Sequence, residues 1–277
     1  MTTWVTQHLH VCSRACSQTY GNSLTLRVFV MLESSSQWRT FISTRVSTAR
    51  WTGGLYLGVA LSGLVGFLFV RAKLYVSGDP TATLANLVDQ ASLARFGIAA
   101  DLTIVLTQAL AAIWFFKLFR SDNSFAAGSI AAFGLVNAAA IVVATAFSAT
   151  ALAVAGDASL APSGDQAATV QLLFELNGAM WDIGSLFFGL WLIPMGYVVV
   201  SSRVMPSALG WVLMVGGVGY VLSTYLALVV PDAPTAIGGS LIGVATLGEF
   251  WMIGYLLIFG VRSQDQIPPL SSAAPAA

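Results

Sequence analysis

Six apolar stretches, each long enough to cross the hydrocarbon of a lipid bilayer, constrain this chain more than any other feature. They run over about 51–70, 95–117, 125–154, 173–200, 207–230 and 238–261. A helix rises about 1.5 Å per residue, so roughly 20 apolar residues span the hydrocarbon. Hydrocarbon offers nothing to a bare N–H or C=O, and a helix is the single-segment structure that satisfies its own backbone. The expected fold is therefore all-α, a polytopic integral membrane bundle of six transmembrane helices. Composition agrees, because 57% of residues are hydrophobic and 9% charged, against about 25% charged in soluble domains. Too few charges remain to cover a surface facing water. The formal net charge is zero, so no basic field exists to attract nucleic acid.

Polar, turn-forming breaks separate the stretches. They include Ser77-Gly78-Asp79-Pro80, Ser121-Asp122-Asn123, Pro162-Ser163-Gly164-Asp165, Ser201-Ser202-Arg203 and Pro231-Asp232-Ala233-Pro234, which suit turns at a water interface. Residues 1–49 mix Ser, Thr and Arg without a period and read as a poorly ordered extension; 50–262 form the membrane domain, and 263–277 a disordered tail. Lys and Arg accumulate on the cytoplasmic side of membrane proteins. One side receives Arg50, Lys117, Arg120, Arg203 and Arg262, the other Arg71, Lys73 and Arg95. Both termini are thus expected inside, in the cytoplasmic membrane, with Arg71 and Lys73 dissenting.

Helices in lipid associate through close backbone approach and polar contacts. Gly54, Gly58, Ser62 and Gly66 make a strict four-residue stripe, and Gly239 and Gly243 share that spacing. These read as contact faces within the bundle, or as the seam of a homodimer or of another membrane partner. Pro194 removes the helical partner of the Leu190 carbonyl and predicts a bend there.

Ionisable groups inside a span cost about 2.5–3.5 kcal/mol on insertion scales, so they face protein, water or each other. Arg95, Asp101, Glu175, Asp182 and Glu249 are such groups. Glu175 and Asp182 are two turns apart and share a face, as do Asp101 and Gln108. Two readings stand. Arg95, Asp101, Gln108, Glu175, Asp182 and Glu249 line a polar pocket for a small molecule, lipid or ion, or the same residues only hold helix register. Asp79 and Pro80 suit the cap and first position of a short interfacial helix. Asp79, Thr83 and Asn86 would then lie over the pocket as a lid.

His8, His10, Cys12 and Cys16 hold all the histidine and cysteine of the chain, and their spacing matches no zinc module. With no His or Cys in the membrane part, haem, copper and zinc chemistry lack their usual ligands, and a serine or cysteine hydrolase lacks its base. No metal site, cofactor or catalytic residue is expected, and the balance is against an enzyme. Ligand binding in a transporter- or sensor-like module is the first expectation, a membrane scaffold the second, an intramembrane enzyme the third.

From Arg50 to about Arg262 the chain resembles the bacterial membrane family known as domain of unknown function 4386. The matching residues are Arg50 with Gly53-Gly54-Leu55-Tyr56, Gly78-Asp79-Pro80 with Thr83 and Asn86, Arg95 and Asp101, and Phe187-Phe188-Gly189-Leu190 with Gly196-Tyr197. Pro206, Leu209-Gly210, Gly219-Tyr220 and Gly248-Glu249 complete the series. The resemblance implies a multi-span helical fold and no established activity. Relatives often carry His directly after Phe-Phe-Gly-Leu, where this chain has Trp191.

Overall fold

A computed structural model describes residues 23–162, 164–230 and 234–262. The His8, His10, Cys12 and Cys16 group and the tail beyond Gln264 lie outside the described residues. The described residues are overwhelmingly helical. Helix α1 (Ser23–Leu64) continues through a π-helical segment, Val65–Arg71, into a last α turn, Ala72–Leu74. Then follow α2 (Pro80–Asp89), α3 (Ala91–Phe119), α4 (Ser124–Gly156), α5 (Gln166–Ser202), α6 (Ser207–Val229) and α7 (Thr235–Ile258). Helix α1 thus takes in residues 23–49, where the sequence shows no period. The chain divides into two compact units, Met1–Arg45 and Val46–Ala277, and the bundle belongs to the second.

Six helical segments are long and apolar enough to span a membrane: Thr44–Leu74, Ala91–Phe119, Ser124–Gly156, Gln166–Ser202, Ser207–Val229 and Ala236–Ile258. The protein is a multi-pass membrane bundle. Of the spans, α5 is the most enclosed by other parts of the protein and α1 the least. Helix α5 is accordingly the hub, α1 lies at the periphery, and much of every span presents side chains such as Leu106, Val215 and Leu247 to lipid.

Caps begin the helices where the sequence turns. Asp79 accepts from the Ala82 N–H, Asn123 from Ala126 and Asp165 from Ala168, each at 2.9 Å. Successive helices from α3 to α7 pack in chain order. Helix α1 touches both α3 and α7, because a Cβ on Gly58 would stand 2.9 Å from Thr107 Cγ2 and one on Gly53 2.9 Å from Leu256 Cβ.

The closest backbone approach is between α5 and α6. A Cβ on Gly189 would lie 2.6 Å from the Gly217 carbonyl oxygen, and one on Gly210 2.7 Å from that of Gly196. Gly196 and Gly189 are seven residues apart, as are Gly217 and Gly210, so two bare patches meet two turns apart in antiparallel register. The stripe on α1 is used in part: Gly58 meets Thr107, while Gly54 has nothing within 4 Å. Gly239 and Gly243 also face open space, so they are not contacts within the bundle.

Aromatic packing fills the middle. Tyr56 of α1, Phe115 of α3 and Trp191 of α5 form three mutually edge-on rings with centroids 5.3–5.6 Å apart. Trp191 is fully buried, and Gly134 of α4 makes room for its ring.

Candidate functional site

The functional side chains are placed by the π segment. In an uninterrupted α-helix residues i and i+7 share a face, so Arg71 would follow Leu64, which is 46% exposed on the lipid side. Wider i→i+5 turns hold more residues per turn and carry Arg71 off that face. Its Nη1 donates to Asn177 Oδ1 of α5 at 2.6 Å. Gly97 permits the approach of the segment to α3, since a Cβ there would stand 2.6 Å from Val70 Cγ1.

Arg71 is oriented from three sides. Asn177 holds one N–H and is itself anchored by donating to the Ala144 carbonyl at 2.7 Å and to Ser148 Oγ at 3.0 Å. The Tyr75 ring lies 5.7 Å from the guanidinium carbon, within cation–π range. Gly178 leaves the third side bare: a Cβ there would be 2.9 Å from Nη2. The Tyr75 hydroxyl donates to Glu175, which also accepts from Gln171 at 3.2 Å. Tyr75 lies beyond the span end, and the bond it donates to Glu175, helped by partial burial, raises its pKa above the ordinary tyrosine value.

A small open cleft runs between the π segment, α3 and α5. Arg71, Asp101, Asn177 and Ser148 are its polar wall, and Phe67, Phe174, Trp181 and Leu87 are prominent in its apolar wall. Phe67 and Trp181 meet edge-on at 4.7 Å. Gly97 faces Val70 and Asp101 Oδ1 lies 3.6 Å from a Cβ built on Gly66. This antiparallel register sets Asp101 one turn, about 6 Å, deeper than Arg71. The field of Arg71 reaches both Asp101 and Asp182.

Helix α2 packs chiefly against α5 and contributes Leu87 to the cleft. Asp79, Thr83 and Asn86 do not line it. Thr83 is fully buried and bonds through its hydroxyl to Val76 and Asp79, while Asn86 donates to the Leu74 carbonyl. These residues fasten α2 to the end of the first span.

The remaining expected site residues are dispersed. Arg95 is exposed and lines no part of the cleft; Arg71 occupies the place beside Asp101. Glu175 and Asp182 sit on the exposed side of α5, with Asn177 and Trp181 turned to the cleft. Gln108 is fully buried two turns below Asp101, and its amide oxygen and nitrogen have no hydrogen-bond partner; the same holds for Asn137 of α4. Glu249 belongs to a separate centre, accepting a 2.5 Å hydrogen bond from the Tyr56 hydroxyl. Trp191 Nε1, buried beside this pair, has no hydrogen-bond partner.

Sequence reasoning passed over Arg71, Tyr75, Asn177 and Trp181. Arg71 did leave a signal as a basic residue on the side where the Lys and Arg count predicts few.

No curated protein and no solved structure matches the chain. A family model described as Domain of unknown function (DUF4386) matches residues 51–260, which includes the π segment, the cleft and the Tyr56–Glu249 pair, and the chain belongs to that family.

Proposed function

We propose that this protein binds a small charged ligand in the cleft beside Arg71, as a receptor- or transporter-like protein of the cytoplasmic membrane. The observation that carries the reading is the preparation of Arg71. A guanidinium has five N–H donors, and one of Arg71's is bonded to protein while Asn177, Tyr75 and Gly178 hold the group in place. A register-holding arginine needs no such cradle, whereas a fixed, open fork suits recognition of carboxylate or phosphate. Few polar groups among aromatic and aliphatic walls are also usual in small-molecule sites.

The orientation proposed has both termini in the cytoplasm. Arg50, Lys117, Arg120, Arg203 and Arg262 are exposed at one end of the bundle, and the use of Arg71 in the cleft removes one of the residues that count against this placement.

A single cysteine tests the cleft. Ser148→Cys, made in a chain with Cys12 and Cys16 replaced by Ser, is expected to react with a membrane-impermeant maleimide applied to reconstituted protein from the cleft side. A charged ligand that occupies the cleft slows the reaction, and Arg71→Gln removes this protection. Failure of Ser148→Cys to react from either side would count against a water-accessible site.

A further inference from the structure

We infer that the ligand of this cleft is a small zwitterion, its anionic group on Arg71 and its ammonium group on Asp101, with an apolar substituent against Phe67, Phe174 and Trp181; the inference rests on the cleft being a binding site. Arg71 and Asp101 are the two charged residues that line it. They are opposite in sign and separated in depth by one helical turn, about 6 Å. Arg71 is bonded not to Asp101 but to neutral Asn177, so its open donors remain available to an anion. The carboxylate of Asp101 accepts only, and it matches an ammonium group that enters below. A molecule with its two charges a few bonds apart bridges such a gap. An anion alone would leave Asp101 facing it uncompensated, and a cation alone would meet Arg71.

Two sources present this chemistry, a free amino acid and the head of an ethanolamine phospholipid. Depth favours the first. Arg71 lies in the last turn of its span and Asp101 deeper, so the anion sits toward water and the ammonium toward the membrane centre. A phospholipid has the opposite order, its phosphate lying nearer the tails than its amine. A free α-amino acid enters the cleft with its amine first and its carboxylate following.

The test uses the full chain purified in detergent and isothermal titration with leucine, 4-methylpentanoate (which lacks the amine) and 3-methylbutylamine (which lacks the carboxylate). Leucine is expected to bind at least tenfold more tightly than either fragment. Asp101→Asn should weaken leucine about tenfold and leave 4-methylpentanoate unchanged; Arg71→Gln should abolish both, with Arg71→Lys as a folded control that keeps the charge. Equal binding of leucine and 4-methylpentanoate, with no effect of Asp101→Asn, overturns the zwitterion and leaves the cleft as an anion site. Binding that Arg71→Gln does not alter, or no binding by any of the three together with none by phosphatidylethanolamine, overturns the cleft reading itself. Nanodiscs with and without phosphatidylethanolamine separate the sources: if that lipid binds through Arg71 and Asp101 and leucine does not, the charge pattern stands and the free source is overturned.

Discussion

At the scale of single residues, buried polar groups are either matched or left bare, and the two cases have different consequences. Tyr56 is 2% exposed, and its hydroxyl is the partner of Glu249 across 2.5 Å. Tyr56→Phe removes the donor and leaves the acid without it, which should destabilise the detergent-solubilised protein by about 1–3 kcal/mol. Glu249→Gln keeps an acceptor oxygen and should cost less; thermal unfolding of the two variants side by side checks the order. Tyr75 offers a pH test outside the membrane. Its folded-state pKa is raised, first by the bond donated to Glu175 and then by partial burial, so the bonded form stabilises the fold at and below the ordinary tyrosine value. That contribution disappears as pH rises through the higher folded value. The difference between wild type and Tyr75→Phe in absorbance near 295 nm should therefore show a single tyrosine that ionises above the ordinary tyrosine value. A difference spectrum that titrates at or below the ordinary tyrosine value would overturn this assignment.

At the scale of elements, glycine and the π segment do the positioning. Gly196 faces the Gly210 carbonyl oxygen so closely that an added methyl cannot fit without movement of backbone. Gly196→Ala should destabilise the bundle by about 1–3 kcal/mol, the usual range for overpacking. Gly54→Ala adds its methyl to open space and should change stability by no more than about 0.5 kcal/mol. The comparison, by thermal unfolding in one detergent, separates a packed small-residue face from one that only shares its spacing. The four-residue stripe of α1 was plain in the sequence, but spacing does not record which side a neighbour occupies. The Gly189–Gly217 and Gly196–Gly210 meetings belong to two helices each, and neither helix alone announces them. The π segment is harder still to foresee, because apolar periodicity assumes one constant turn. Seven residues of different pitch turn Arg71 from a lipid-facing position into the centre of the site.

For the whole molecule, a membrane fold predicts two populations of tryptophan. Trp211 and Trp251 are 59% and 43% exposed on spanning helices, whereas Trp191 is fully buried. In bilayers of brominated lipid, variants that retain Trp211 or Trp251 alone should be strongly quenched, and one that retains Trp191 alone nearly unquenched. Equal quenching of all three would contradict the arrangement of α5 at the centre. The number of spans, their approximate limits and the helix that starts after Asp79 were all legible in the sequence, because hydrocarbon enforces backbone self-satisfaction on each segment independently of its neighbours. Asp101 was also legible as a residue out of place, since a carboxyl group within an apolar run needs a reason. The cation that shares its cleft was not. Arg95 is the nearer cation along the chain, yet Arg71 is the one that lines the cleft with Asp101, because such neighbourhoods depend on helix rotation and on which faces meet. Those are settled when Gly97 admits Val70 and when the wider turns bring the guanidinium to Asn177; a linear order of residues holds no information about rotation between separate helices until they pack.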